Sequence, residues 1–556
     1  MKNVVFVTID HLPYESLGCG GNRPTPSPVI DALAEEGLQL TNCFSPSLTT
    51  QFASPGYMTS TLPLDYGGYD RGILDRPVTL PEVFQSHGYR TGGFVTAWWY
   101  DPMFGYDRGF DDFFGLYSTK QILGSAKANY IDYFSNESPN DKDQLSFAMK
   151  FLFPFLQRYF KRLPKYFSEK LIEKEGENFL TSPSLHEQNF KSLRSIFNNE
   201  LSKFEDDPER YIHRLLSGEK SDLFENFTQN NINNREEQIV PKKLILKLFK
   251  TYTKQNYKVA LKSKNSKRLT QFLRRCGRRV NFAHQKSTPS AGYVFDNASR
   301  WINRIRTEPF FVWIHLFDVH DKGFLSWEYS ESRREEDLRK ANEFRQKVDR
   351  VNEWHGNPIS DLSLQYVDNQ LGGFRSDLLR DGLLDNTAFV IMADHGGYKQ
   401  ERPYRAERYR LDDFYDERFS VPAIFYNVGV SGDYHGISSS LDIPPTLLEA
   451  LGLKIPNGFD GKSVIDCEPR SHVFMEHAGS GPCIPQVKPI TVAARTPKEK
   501  IVFNTIRGTE CYDLSTDPEE YGSGNSQPTD IIEAMLYKRL SQLSDSGYQT
   551  NIKNSR

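Results

Sequence analysis

The chain has 556 residues, a formal net charge of -3 and 25% charged residues, values that exclude a protein defined by an extreme overall charge. Its length allows several conventional domains, or one large α/β enzyme that carries insertions. No run approaches the roughly 18 consecutive apolar residues that a helix needs to cross a bilayer.

The cysteines and the N-terminus both indicate an intracellular setting. Six cysteines are dispersed along the chain, without the close pairs that hold structural zinc, and we interpret them as reduced thiols. The chain enters an apolar strand by Val4, without the basic and apolar regions of a signal peptide. We therefore expect a cytoplasmic protein.

Three apolar runs, at residues 3–9, 309–316 and 387–393, predict strands that are buried on both faces, as in a parallel sheet. Acidic and imidazole side chains follow the three runs, and they are Asp10, then Asp318 and His320, and finally Asp394 and His395. The crevice of an open α/β sheet lies beyond the carboxyl ends of its strands, so these side chains should converge there. Such a cluster would bind a divalent metal.

A hydroxyl-rich segment follows the first predicted βαβ unit. The unit consists of the first strand, a helix near residues 28–37 and a short strand near residues 38–42. Residues 45–61 then carry many Ser and Thr side chains, among which Thr49 and Thr50 are candidate nucleophiles. The alternative is that these hydroxyls only form turns.

A long insertion separates the two parts of the predicted sheet. It is aromatic and basic, and the stretch 241–293 is rich in Lys and Arg and holds no Asp or Glu. We predict that the insertion is mostly helical. Basic runs are commonly solvated helix faces, and the alternative is a contact with an anionic polymer or a membrane surface.

A smaller α+β subdomain is predicted at the C-terminus, with strands near residues 471–476, 490–494 and 500–504 and one helix after them. The predicted divisions are therefore a first core part at 1–116, the insertion at 117–294, a second core part at 295–469 and the C-terminal subdomain at 470–556.

Several segments of this sequence resemble motifs of the sulfatase family of the alkaline phosphatase superfamily, and they occur in the same order as the motifs do in that family. They include NVVFVTIDHLPYESLGCGG, PSPVIDALAEEGLQLTNCFSPS, LPEVFQSHGYRTGGFV, PFFVWIHLFDVHD, YVDNQLGGFRSDLLRDGLLDNTAFVIMADHGG, LDIPPTLLEALGL and ECYDLSTDPEE. The resemblance implies an alkaline-phosphatase-like, doubly wound α/β fold with a mostly parallel sheet. It covers roughly the first 115 and the last 250 positions and leaves the insertion unmatched.

The resemblance also implies roles for individual residues. Asp10, Asp394 and His395 match the metal ligands of the family, and we expect one divalent cation, with Ca²⁺ as the first choice and Mg²⁺, Mn²⁺ or Zn²⁺ as alternatives. His320 resembles the histidine that contacts the substrate or protonates the leaving group. Asp318 would orient His320 or bind substrate, or would cap a turn.

The nucleophile motif departs from that of typical sulfatases. Their motif reads Cys or Ser, any residue, Pro, Ser, Arg, and its first residue becomes formylglycine. Alignment places Thr50 at that first position, with Phe52 in place of proline and Ser54 in place of arginine. The modification signal is therefore absent. A threonine here resembles the branches of the superfamily that transfer phosphoryl groups, where a threonine alkoxide attacks.

Two further features of the family are also replaced. The lysine and histidine of the arylsulfatase Gly-Lys-Trp-His motif are missing, because residues 96–100 read Thr-Ala-Trp-Trp-Tyr. Lys399, or else Arg402 and Arg405, would supply the lost positive charge toward an anionic ester. A second metal ion would need further ligands, for which His435 and His477 are candidates.

These features together predict a metal-dependent hydrolase or transferase of sulfate or phosphate esters, with Thr50 as nucleophile, His320 as general acid, and Thr49, Asp318 and Lys399 contacting the substrate. The expected substrate is a sulfated or phosphorylated small molecule or glycan. A phosphodiesterase, a phosphonate ester hydrolase or a phosphoglycerol-type transferase is the first alternative. An inactive family member that binds a polyanionic glycan or lipid is the second.

Overall fold

The computed structural model describes residues 1–22, 25–117, 119–136, 144–175, 187–219, 289–321, 358–397, 413–465, 467–478, 490–522 and 526–548, together with residues 221, 223, 224, 524 and 550.

The core of the protein is an eight-stranded, mostly parallel sheet. The first nine strands are β1 (Asn3–Ile9), β2 (Leu38–Leu40), β3 (Cys43–Phe44), β4 (Arg90–Val95), β5 (Asp112–Gly115), β6 (Phe310–Leu316), β7 (Thr387–Ala393), β8 (Ala423–Tyr426) and β9 (Gly432–Tyr434). The order across the sheet is β5-β4-β6-β1-β7-β8-β2-β9. Strand β8 is antiparallel to both of its neighbours, and the other pairs are parallel. The structure thus confirms the predicted sheet.

Thirteen α-helices surround and extend this sheet in the described part of the chain. They are α1 (Pro28–Glu36), α2 (Thr50–Thr59), α3 (Leu80–Ser86), α4 (Thr119–Ala126), α5 (Asp132–Asn136), α6 (Gln144–Glu175), α7 (Glu187–Asp206), α8 (Pro208–Leu216), α9 (Ala291–Arg304), α10 (Asp318–Asp321), α11 (Pro358–Arg380), α12 (Ile443–Ala450) and α13 (Asp530–Asp545). None of the helices in these described ranges has an apolar stretch long enough to cross a bilayer.

The sheet is covered by helices on both faces, which is why its central strands are apolar throughout. Successive side chains of a strand point to opposite faces. On one face Phe311 of β6 stacks on Phe84 of α3, with ring centroids 4.4 Å apart. On the other face Phe310 meets Trp301 of α9, with centroids 6.4 Å apart. The fold is therefore doubly wound, as predicted.

The described part of the predicted insertion is helical and is joined to the core by a buried ion pair. Arg162 of α6 donates to Asp101 over 2.9 Å, and Asp101 follows β4 in the chain. Tyr117 also donates a hydrogen bond to this carboxylate. The basic residues 241–288 lie outside the described residues, so their contact with an anionic partner stays a prediction, as do the boundaries drawn between the four parts of the chain.

The C-terminal subdomain is an antiparallel sheet that packs beside the loop leading into α2. Its strands are β11 (Val473–His477), β12 (Thr491–Arg495), β13 (Glu499–Asn504) and β14 (Gly508–Asp513), in that order, while the short β10 (Ser438–Ser439) pairs with β3. The backbone N–H of Glu476 donates to Pro46 O over 2.8 Å. Ser47 donates its hydroxyl to Glu476 O over 2.6 Å. The predicted α+β subdomain is confirmed, and β14 is a strand that the sequence pattern did not indicate.

Candidate metal centre and nucleophile

Two buried carboxylates lie side by side where β1 and β7 end. Ile9 pairs with Ala393 in the parallel register, so the next residues, Asp10 and Asp394, emerge together at the same edge of the sheet. Asp394 Oδ1 accepts the backbone N–H of His395 over 2.8 Å. Its Oδ2 is buried without a hydrogen-bond partner among the described residues. Two such carboxylates repel each other unless a cation lies between them.

His395 presents a ring nitrogen to both carboxylates. Its Nε2 lies 3.8 Å from Asp10 Oδ1 and 3.8 Å from Asp394 Oδ2. Its Nδ1 lies 2.8 Å from Gly396 O, and because a carbonyl oxygen only accepts, Nδ1 carries the hydrogen and Nε2 keeps its lone pair. Burial lowers the pKa of His395, which favours the neutral ring that a metal ligand requires.

His315 in β6 is a further candidate ligand, and the sequence analysis did not single it out. Its Nε2 lies 3.8 Å from Asp10 Oδ2, and its Nδ1 lies 3.0 Å from the hydroxyl of Thr96. Ligand atoms of Asp10, His315 and Asp394 all lie within 4.8 Å of one another. Burial lowers the pKa of His315 to about 4, so this ring is also neutral at pH 7.

This donor set fits a divalent cation. The carboxylates of Asp10 and Asp394 and the ring of His315 form one buried cluster, and His395 Nε2 lies 3.8 Å from both carboxylates. A positive ion would offset both the charge repulsion and the buried, unpaired Oδ2 of Asp394. Carboxylates suit Ca²⁺, Mg²⁺ and Mn²⁺, whereas imidazoles suit Zn²⁺ and other transition metals. The donor set is therefore compatible with each of the four predicted ions.

Thr50 lies beside this centre at the first position of α2. Its hydroxyl donates to Asp10 Oδ2 over 3.0 Å, and the residue is 8% exposed. Thr49 is the preceding N-cap residue, and its Oγ1 is buried without a hydrogen-bond partner among the described residues. Of the two candidate nucleophiles, Thr50 is the one that bonds to a predicted metal ligand among the described residues, and it lies where the helix dipole favours negative charge.

Three histidine rings line one side of the centre. His320 is exposed in α10, immediately after β6. Its ring meets the ring of His11 edge-on, with centroids 5.5 Å apart, and His11 meets His395 in the same way at 5.3 Å. His11 has a φ of 60°, a left-handed conformation that is uncommon for residues other than glycine. The sequence analysis did not assign a role to His11.

Asp318 contacts the start of a helix. Its Oδ1 accepts the backbone N–H of Ala291 over 3.0 Å, at the start of α9, where a carboxylate satisfies an otherwise unpaired donor. This contact matches the capping alternative, and a substrate contact of Asp318 stays a prediction.

Residues 96–100 support His315 in this protein. Thr96 bonds its ring, and the ring of Tyr100 packs edge-on against it with centroids 4.6 Å apart. Tyr100 also shares a 2.6 Å hydrogen bond with Tyr57 of α2. The proposed replacement cations Lys399, Arg402 and Arg405 lie outside the described residues, so their role stays a prediction.

The two histidines considered for a second metal ion make other contacts. His435 Nδ1 lies 3.1 Å from the hydroxyl of Thr41. The buried ring of His477 packs against Phe52 of α2, with centroids 4.6 Å apart. Neither belongs to the one cluster of metal-binding side chains found among the described residues.

The sulfatase family model matches residues 2–192 and 196–453 of this chain. An arylsulfatase of Clostridium perfringens is 27% identical over 184 residues, which cover 32% of this chain and 36% of that protein. An N-acetylglucosamine-6-O-sulfatase of Bacteroides thetaiotaomicron is 21% identical over 555 residues, covering 93% of this chain and 81% of that protein. The match to the first of these relatives thus spans about a third of its length.

A solved structure shows the same fold. The phosphonate monoester hydrolase of Agrobacterium radiobacter superposes with a TM-score of 0.52 at 16% identity, covering 99% of this chain and 97% of that one. At this identity the likeness establishes the alkaline-phosphatase-like architecture and not the reaction.

We predict that a divalent cation stabilises the folded protein through this cluster. An ion that binds only the folded state raises the free energy of unfolding by about 2.7 kcal/mol when its concentration is about 100 times its Kd. Melting curves in EDTA, Ca²⁺, Mg²⁺, Mn²⁺ and Zn²⁺ should therefore show a higher Tm with at least one ion. The increase should be lost in Asp394→Asn and reduced in His395→Gln. Equal melting of the wild type in EDTA and in every ion would contradict the metal centre.

Proposed function

Because the chain belongs to the sulfatase family of the alkaline phosphatase superfamily, we propose that it is a metal-dependent hydrolase of sulfate or phosphate esters that uses the hydroxyl of Thr50 as its nucleophile. The observation that carries this proposal is the 3.0 Å hydrogen bond from Thr50 to Asp10, beside the cluster of Asp394 and His395. It supports the nucleophile position that the sequence alignment suggested.

The surroundings of Thr50 suit a nucleophile. Asp10 accepts the hydroxyl hydrogen, so a lone pair of Oγ1 is left for attack on an ester. The residue is held at the start of a helix and is almost fully buried, so the attacking oxygen is fixed in place before substrate binds. A divalent cation bound to the cluster would lower the pKa of this hydroxyl and neutralise charge on the ester oxygens.

We assign the general acid to His320. It is exposed beside the cluster, two rings away from His395 through His11. An imidazole has a pKa near neutrality in water, so it can protonate a leaving oxygen at physiological pH. It follows β6 and is exposed to solvent, so it is accessible to a leaving group that departs.

The unmodified threonine favours esters of phosphorus over esters of sulfur. A formylglycine hydrate carries a second hydroxyl on the attacking carbon and can expel the transferred group by collapsing to an aldehyde. Threonine has no such hydroxyl, so water must attack the central atom of the covalent intermediate. Within the proposed class of sulfate and phosphate esters, the threonine therefore favours a phosphodiester or phosphonate ester, and the structural likeness to a phosphonate monoester hydrolase is consistent with this preference.

The substrate class follows from the relatives. One relative is an N-acetylglucosamine-6-O-sulfatase that aligns with most of this chain, so we propose a sulfated or phosphorylated glycan or small molecule. The positive charge that such an anion needs beyond the metal ion would come from Lys399 or its neighbours.

We predict that Thr50→Ala loses at least about 10³-fold in kcat, because it removes the hydroxyl that contacts Asp10 beside the cluster. Thr50→Ser should retain part of the activity, and Thr49→Ala most of it. The substrates would be nitrophenyl sulfate, nitrophenyl phosphate, bis-nitrophenyl phosphate and the nitrophenyl ester of phenylphosphonate. Turnover that survives in Thr50→Ala and disappears in Thr49→Ala would identify Thr49 as the nucleophile and contradict the assignment of Thr50.

A second prediction concerns the leaving group. His320→Ala should reduce kcat by about 10²-fold or more for alkyl or phenyl esters, which leave poorly without a proton. It should have little effect on nitrophenyl esters, whose leaving group is stable as an anion. His87→Ala, which changes an exposed histidine at the end of α3, is the matched control. An equal loss for good and poor leaving groups would argue that His320 binds substrate without transferring a proton.

A further inference from the structure

A short segment, residues 413–420, lies against the loop that carries the metal-binding histidine. Gly396 donates its backbone N–H to Arg418 O over 2.8 Å, and Gly397 donates to Glu417 O over 3.2 Å. A Cβ atom on Gly396 would lie only 2.3 Å from Glu417 O. The two backbones are therefore in direct contact, so a shift of the segment must shift Gly396.

Gly396 in turn sets the orientation of His395, because its carbonyl accepts the hydrogen of His395 Nδ1 over 2.8 Å. The same segment holds the other side of the centre. Ser45 donates its backbone N–H to Phe419 O over 2.7 Å and its hydroxyl to Asp394 O over 2.6 Å. Two predicted metal ligands thus depend on one segment for their positions.

The C-terminal subdomain fixes this segment through a buried lysine. Lys500 of β13 is 1% exposed, and its Nζ donates to Phe414 O over 2.6 Å and to Asp416 Oδ1 over 2.9 Å. Lys500 also forms an ion pair with the buried carboxylate of Glu520. A buried ammonium group is costly unless its partners are in place, so these contacts define one position for the segment.

One more charged side chain, Arg495, completes the cluster. Glu520 Oε2 accepts the backbone N–H of Asp416 over 2.7 Å, and Arg495 donates its Nε to Asp416 Oδ2 over 3.0 Å. The four side chains carry two positive and two negative charges. Every one of them belongs to the segment or to the C-terminal part of the chain, and none is a predicted metal ligand.

We propose that Lys500, paired with Glu520, is a positioning residue for the metal centre. Through residues 413–420, this contact of the C-terminal subdomain holds the predicted metal ligands in place. The proposal depends on one part of the proposed function, namely that the cluster of Asp394 and His395 is the metal site. The test measures metal binding and does not require turnover. The proposal can therefore be refuted even if the protein proves to be inactive.

The test uses the full-length double variant Lys500→Met with Glu520→Gln. This pair of changes removes one positive and one negative charge, and Asp416 keeps its bond to Arg495. After dialysis against EDTA, calorimetric titrations with Ca²⁺ and with Mn²⁺ would give the Kd for each ion. We expect the Kd to rise by about 10- to 100-fold, the range seen when groups that orient metal ligands are changed.

A matched control removes another buried charge pair of the same subdomain. Glu476 pairs with Arg539 over 3.0 Å and accepts the backbone N–H of Leu64 over 3.1 Å. The double variant Glu476→Gln with Arg539→Met should lose stability as the test variant does, yet keep a metal Kd close to that of the wild type. Thermal melting of both variants would establish that they are folded.

Two outcomes would overturn the proposal. One is a folded Lys500→Met, Glu520→Gln variant that binds both ions as tightly as the wild type. The other is an equal weakening in the Glu476→Gln, Arg539→Met control, since this would show that metal affinity follows overall stability. If the first variant does not fold, Asp416→Asn loosens the same contacts at smaller cost, and unchanged metal affinity in that variant would also refute the proposal.

Discussion

The structure depends on the placement of two carboxylates, Asp10 and Asp394, in a buried site where a bound cation would offset their repulsion. Burial of paired negative charge is strongly unfavourable in the absence of positive charge. Here the parallel register of β1 and β7 makes their proximity unavoidable. The neighbouring groups are consistent with this constraint, because burial lowers the pKa of both adjacent imidazoles. The contact of His395 Nδ1 with Gly396 O also leaves the lone pair of Nε2 toward the two carboxylates. The hydroxyl of Thr50 donates to Asp10 of this pair.

The rest of the fold holds these groups in place. Central strands buried on both faces provide the rigidity that a loop site would lack. Helix α2 begins at Thr50, with its N-terminus beside the cluster. The insertion contacts the loop after β4 through Arg162 and Asp101. The C-terminal subdomain contacts residues 413–420 through Lys500. Parts of the chain that are far apart in sequence therefore meet around a single centre.

The sequence predicted the parts of this arrangement that local pattern encodes. A buried parallel strand is a continuous apolar run in the sequence. The positions of β1, β6 and β7, and of the residues that follow them, could therefore be predicted from the sequence. His315 could not be identified in this way, because a histidine inside an apolar strand is equally compatible with a core position. Its role depends on the pairing of β6 with β1, which brings it opposite Thr8 and near Asp10. The contact of Lys500 with residues 413–420 joins positions more than eighty residues apart. A local sequence pattern therefore could not predict it. For Asp318, the sequence indicated a position after a strand, but it could not indicate the contact with the start of α9, because that contact depends on how the helix packs.

The central claim is that Thr50 forms a covalent bond to the transferred group, and the most direct measurement is to find that bond. The enzyme would be mixed with bis-nitrophenyl phosphate in the presence of the activating ion, quenched in acid during turnover, digested and examined by mass spectrometry. A phosphoryl or nitrophenyl-phosphoryl adduct on Thr50, absent from Thr50→Ala, is the predicted result. Steady turnover without an adduct on the peptide that contains Thr50, or with an adduct on another residue, would contradict the claim.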